Sequence, residues 1–180
     1  MTDRDSNELA TWESALKRRL PLWGHRNWIV VADSAYPAQS NPGIETITTG
    51  VDHMYLLKVT LDALTNCKHV KPNIYLDSEF KFVTEQDAPG ITRFRESLVR
   101  LLGGRDRTVI PHEQIITKLD DSAQLFRILI LKSTMTIPYS SVFLELDCGY
   151  WNSQAEGRLR EAMTRTRSRD DEQEELTKTF

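Results

Sequence analysis

The chain has 180 residues, 39% of them hydrophobic and 27% charged, with a formal net charge of −3. That length favours one domain, large enough to bury a core without disulfides or a structural metal. A balance of 23 basic and 26 acidic side chains excludes a nucleic-acid binder that relies on overall positive charge, and no run of about 18 apolar residues is present to span a membrane. The start, MTDRDSNELATWESALKRRL, lacks an apolar signal-peptide core, so a cytoplasmic location is expected.

Leu9, Trp12, Leu16 and Leu20 recur at spacings of three and four, which predicts a helix over 7–20, stopped by Pro21. Trp28–Ala32 is a continuous apolar run and reads as a strand buried on both faces, ended by Asp33-Ser34. A loop rich in Pro, Asn and Gly follows through Gly43, then a short strand over Ile44–Thr48. Thr49 to Asp52 opens a helix running to about Asn66, with Met54, Leu57, Leu61 and Leu64 as its apolar stripe. Asn73–Leu76 is a strand. Pro89-Gly90 precedes a helix carrying Ile91, Phe94, Leu98, Leu101 and Leu102, ended by Gly103-Gly104. Thr108–Ile110 is a short strand, and Pro111 occupies the first turn of the next helix. Leu125–Leu131 is apolar and β-branched enough for a strand, with a helix as the alternative, and Val142–Leu146 is the last strand, with alternating burial. The alternation of strands and helices defines an α/β class with a sheet at least partly parallel and flanked by helices.

Residues 1–150 are expected to form one compact domain. Residues 151–180 form a charged helix or tail, basic at Arg158, Arg160, Arg165, Arg167 and Arg169, then acidic from Asp170 to Glu175. Such a self-cancelling run reads as a solvated face, with an interaction arm as the lesser reading. Cys67 and Cys148 are far apart and form no CxxC pair, so neither a disulfide framework nor a thiolate zinc site is expected. No Gly-rich phosphate loop, HExxH or GxSxG is present. What remains is His25, Asp33, His112 and Tyr139 beside apolar strands. Asp33 follows the carboxyl end of a buried strand, where ligands of α/β sheets gather; its plainer role is a turn residue. His25 alone reads as a loop residue, His112 as a helix start, and Tyr139 as packing. His53 and His69 read as structural.

Together these residues form a pattern. GHRNWIVVAD, residues 24–33, resembles the opening signature of the D-ribose pyranase and L-fucose mutarotase family: Gly-His, a polar pair, an apolar strand, then Ala-Asp. Ser34-Ala35-Tyr36-Pro37 resembles its continuation, His112-Glu113 its second histidine, and Pro138-Tyr139-Ser140-Ser141 its Pro-Tyr-Ala-Asn motif before the last strand. The order holds from about residue 8 to 150. Asn27 stands where an acidic residue is common, Ser141 replaces the Asn, and the chain is longer than typical members.

The resemblance implies a compact α/β fold in a ring-like homo-oligomer, often a decamer. It implies cofactor-free and metal-free interconversion of ring forms or anomers of a free monosaccharide, ribose- or fucose-like. His25 corresponds to the catalytic, proton-donating histidine. Asp33, His112, Tyr139, Ser140 and Ser141 correspond to substrate-binding positions. The chemistry needs two proton movements, off the anomeric hydroxyl and onto the ring oxygen, which imidazoles perform near neutral pH. A strand from Trp28 to Asp33 covers roughly 16 Å, too far for His25 and Asp33 of one chain to meet readily, so sites shared between subunits are expected. Two other readings stand beside this one. One is a noncatalytic sugar-binding or regulatory protein on the same scaffold. The other is a metal hydrolase using His25, Asp33 and His112 as ligands.

Overall fold

The computed structural model describes residues 12–178, and their side chains as far as residue 166. The first helix, α1, is described over 12–19; its expected turns at 7–11 lie outside the described residues. Pro21 does not stop the chain at once, because a 3-10 turn at Leu20–Leu22 accommodates it. The remaining elements are β1 (Trp28–Ala32), β2 (Ile44–Thr48), α2 (His53–Thr65), β3 (Val70–Asp77), a 3-10 segment at Ser78–Phe82, α3 (Ile91–Leu102), β4 (Arg107–Ile110), α4 (His112–Ala123), β5 (Ile128–Lys132), β6 (Val142–Cys148) and α5 (Ser153–Lys178).

The six strands form one mixed sheet in the order β2-β5-β1-β6-β3-β4. β1, β2 and β5 run parallel; β6 is antiparallel to both β1 and β3; β4 is parallel to β3. Five strands therefore point the same way, and β6 alone opposes them. Their carboxyl ends share one edge with the start of β6.

Side chains alternate across the sheet. Ile29, Val31, Leu129, Leu131, Val142 and Leu144 face a large core built with α1, α2 and α3. Trp28, Val30, Ala32, Ile130 and Phe143 face a smaller core closed by Ile115 and Leu119 of α4. Both faces are covered, so β1 is buried throughout, as its unbroken apolar run predicts. The same cover overrides the alternation expected of β6, whose first three residues are all buried.

Local chemistry sets the element ends. Asp52 caps α2 by accepting the Tyr55 N–H at 3.0 Å. Gly90 and Gly103 flank α3 at φ of +93° and +56°, a region open to glycine without a Cβ clash. Pro111 is the N-cap of α4 and not part of its first turn. β5 begins at Ile128, three residues later than the apolar run suggests, because the Leu125 and Phe126 N–H groups still bond the Ser122 carbonyl. α5 carries the charged tail; Leu159 and Met163 on it are 44% and 55% exposed. Among the described residues no helix is long and apolar enough to cross a membrane, and both cysteines are free.

Candidate functional site

The sheet edge where five strands end is where α/β proteins place ligands. Here Asp33 follows β1, Asp77 ends β3, His112 opens α4 just past β4, and the loop 133–141 leads into β6. All but the buried Asp77 border a cavity of about 540 Å³, lined by Asp33, Tyr36, His112, Glu113, Ile116 and Tyr139 among others. Among the described residues, no lysine or arginine lines it.

His112 is held from two sides. Its backbone N–H donates to both carboxylate oxygens of Glu79, at 3.0 and 3.1 Å. Its Nδ1 lies 3.0 Å from Oδ1 of Asp77. The Asp77 side chain is fully buried and the His112 side chain 30% exposed, so the ring spans from interior to cavity. Burial pushes the Asp77 carboxyl up to about 6; the His112 hydrogen bond and charge oppose this, and Glu79 and Asp33 reinforce it. Above that pH Asp77 is an acceptor only. It then accepts from a proton on Nδ1, which leaves Nε2 as the ring nitrogen available to the cavity.

Asp33 is fixed as well. Its Oδ1 accepts the Ala35 N–H at 2.9 Å, a turn bond, and its Oδ2 accepts the Ser141 hydroxyl at 3.0 Å. Ser141 Oγ in turn accepts the Asp33 N–H at 3.2 Å. Tyr139 sits at φ +57°, uncommon for a residue with a Cβ, and is 40% exposed. Its ring meets His112 edge-on, with centroids 5.7 Å apart. Burial, then the carboxylates of Asp120, Asp77 and Asp33, push the Tyr36 phenol upward, so it stays a neutral hydroxyl.

Asp33, His112 and Tyr139 thus come together. Ser141 stands behind Asp33, and Ser140 is buried with its hydroxyl on the Ile137 carbonyl; neither lines the cavity. His25 is exposed at the opposite, amino end of β1, with the five residues of that strand between it and Asp33. His25, Asp33 and His112 therefore do not form a metal-ligand set within one chain. Among the described residues no three His, Cys, Asp or Glu side chains group in a way that could hold a metal ion. Asp77 and Glu79 are additions outside every motif of the sequence resemblance, and Tyr36 and Glu113, which lie within those motifs without a role assigned, also line the cavity. Asp77 had a signal: it bears the same relation to β3 as Asp33 to β1, a carboxylate at the carboxyl end of an apolar strand.

The architecture, a six-stranded mixed sheet with helices on both faces, is the fold of RbsD. The structure of Bacillus subtilis RbsD complexed with D-ribose matches at a TM-score of 0.53 and 18% identity, covering 74% of this chain and 92% of that one. The fucose mutarotase of Streptococcus pneumoniae, solved with L-fucose, matches at a TM-score of 0.49 and 21% identity, covering 78% and 94%. FucU from Bifidobacterium longum matches at a TM-score of 0.49 and 15% identity, covering 74% and 92%. No family model matches the sequence, and no curated protein does. The RbsD match carries the fold.

Proposed function

We propose that this chain is a cofactor-independent isomerase that interconverts ring forms or anomers of a free monosaccharide, ribose- or fucose-like. The observation that carries this reading is His112, backed by the buried Asp77 and opening into a cavity that also holds the Asp33 carboxylate. The fold shared with a protein solved with D-ribose supports it.

Ring opening then runs as follows. His112 Nε2 takes the proton of the anomeric hydroxyl. The anomeric C–O bond becomes a carbonyl as the bond to the ring oxygen breaks. That oxygen takes a proton from His25. Rotation about the freed carbon and the reverse transfers close the other form. Asp33 accepts a sugar hydroxyl, and Tyr139 offers an aromatic face to the sugar's C–H side. His25 cannot serve the cavity of its own chain, so it comes from a neighbouring copy. The active form is therefore a homo-oligomer with sites shared between subunits; a ring such as a decamer is what the resemblance to the pyranase and mutarotase family implies. Residues 1–150 supply this machinery and 151–180 do not.

Among the described residues the cavity wall carries Asp33 and Glu113 and no lysine or arginine, which suits an uncharged sugar. A phosphate ester of the accepted sugar is expected to bind at least about tenfold more weakly than the free sugar, since like charges would be brought together; titration calorimetry of the two ligands checks this. Saturation transfer between anomer signals tests the reaction itself. Acceleration with ribose or fucose supports the isomerase; binding without acceleration supports a noncatalytic sugar-binding protein instead.

A further inference from the structure

We infer that His53 is a positioning residue for the same cavity, a buried strut that fixes the loop 133–141 and with it Tyr139. The inference rests on reading that cavity as the sugar site.

His53 is the first residue of α2 and has no exposed surface. Its Nδ1 lies 2.9 Å from the Ser133 hydroxyl, at the start of the loop. Ser133 is itself tied in, donating to the Ala32 carbonyl at 2.8 Å and accepting the Met135 N–H at 3.3 Å. The main chain of Ser140, at the far end of the loop, favours a proton on the imidazole, as do Asp52 and Asp33; burial outweighs all three and holds the ring well below the usual range, at about 4. His53 is therefore neutral at working pH and is tied to the loop through Ser133. On its third side its ring meets Phe94 edge-on at 5.5 Å, and Phe94 meets Phe80 at 5.7 Å. Phe80 belongs to the 3-10 segment whose Glu79 holds His112. One path of rings thus joins both walls of the cavity.

A role in packing alone does not account for this residue. Nε2 has no hydrogen-bond partner. A buried polar atom without a partner costs stability that an apolar side chain of similar volume would avoid. The loop, in contrast, needs support. Thr134 bonds the Val51 carbonyl and Ser34 bonds the Met135 carbonyl, but Thr136 to Tyr139 face the cavity, and Tyr139 is held in a left-handed conformation.

The test uses His53→Phe, which keeps a ring and removes the hydrogen bond, and the milder Ser133→Ala, which carries the test alone should His53→Phe not fold. Each is expected to raise KM for the sugar about tenfold with kcat changed less than about twofold, the size of one buried hydrogen bond. The double variant is expected to be no worse than the poorer single one, since both remove the same link. His53→Gln, which retains a polar atom toward Ser133, is expected to recover part of the loss. Amide hydrogen exchange is read in parallel. Residues 134–141 are expected to exchange about tenfold faster in both variants, with the strands unchanged. Unaltered exchange of those amides in a folded variant, or an unaltered KM, overturns the inference. If the wild-type protein accelerates no sugar, the isomerase reading falls, and amide exchange alone then decides whether His53 is the strut.

Discussion

Replacing Asp77 with Asn is expected to lower turnover about a hundredfold, within the range that one positioned acid–base group supplies, while leaving the protein more stable at pH 7. Both effects come from one buried carboxylate. Oδ1 of Asp77 lies 3.0 Å from Nδ1 of His112, and an ionised Asp77 can only accept there, which leaves Nε2 as the nitrogen available to the sugar. An asparagine can instead turn its NH2 group to Nδ1. That favours the other tautomer, in which Nε2 carries the proton and cannot take one from the sugar.

The stability effect follows from burial. The carboxyl holds its proton up to about pH 6 when folded, against 3.8 for an unperturbed aspartate. Between those pH values the folded state binds more protons than the unfolded state. This group's contribution is therefore most favourable below the unfolded value and declines as pH rises through the folded one. Its cost above pH 6 is roughly 2–3 kcal/mol at most. Urea denaturation at pH 4 and pH 7 checks this. The wild type is expected to lose stability between the two relative to Asp77→Asn, and the variant to exceed it at pH 7. Turnover of the wild type is expected to fall as pH drops through about 6, where Asp77 takes up its proton.

Two inactive variants are expected to restore each other. His25 is exposed at one end of β1, and Asp33, with its cavity, stands at the other. If neighbouring copies complete each site, His25→Ala and His112→Ala each abolish acceleration as pure assemblies. Neither should unfold, because both side chains stand at least partly outside the core. Unfolded together, mixed in equal amounts and refolded, they should regain activity at roughly a quarter of the sites, the fraction that pairs an intact His112 with an intact His25 by random assortment. No recovery in mixed assemblies would mean that sites are not shared.

The elements of this fold were legible where the apolar pattern is long and the helix caps are local. β1 reads directly from five consecutive buried residues, and α2 from its stripe and the Asp52 cap. Legibility failed where long-range contact decides. Leu125 and Phe126 have strand-forming neighbours but belong to the turn ending α4, and Leu125 is 83% exposed. At the site, Asp33, His112 and Tyr139 could be singled out from motif and strand position. Asp77 could not be paired with His112 from the sequence, because 35 residues separate them and only the β3–β4 pairing brings them together. His53 was read as structural because nothing local distinguishes a histidine in the first turn of an amphipathic helix. Its contact with Ser133 spans 80 residues.

The most direct measurement is saturation-transfer NMR on free ribose and fucose, with wild-type protein and His112→Ala side by side at equal concentration. The account predicts enzyme-dependent exchange between anomers or ring forms of one sugar with the wild type, and none above the spontaneous rate with the variant. Equal exchange by both proteins, or none by the wild type with sugars that it binds, would contradict it.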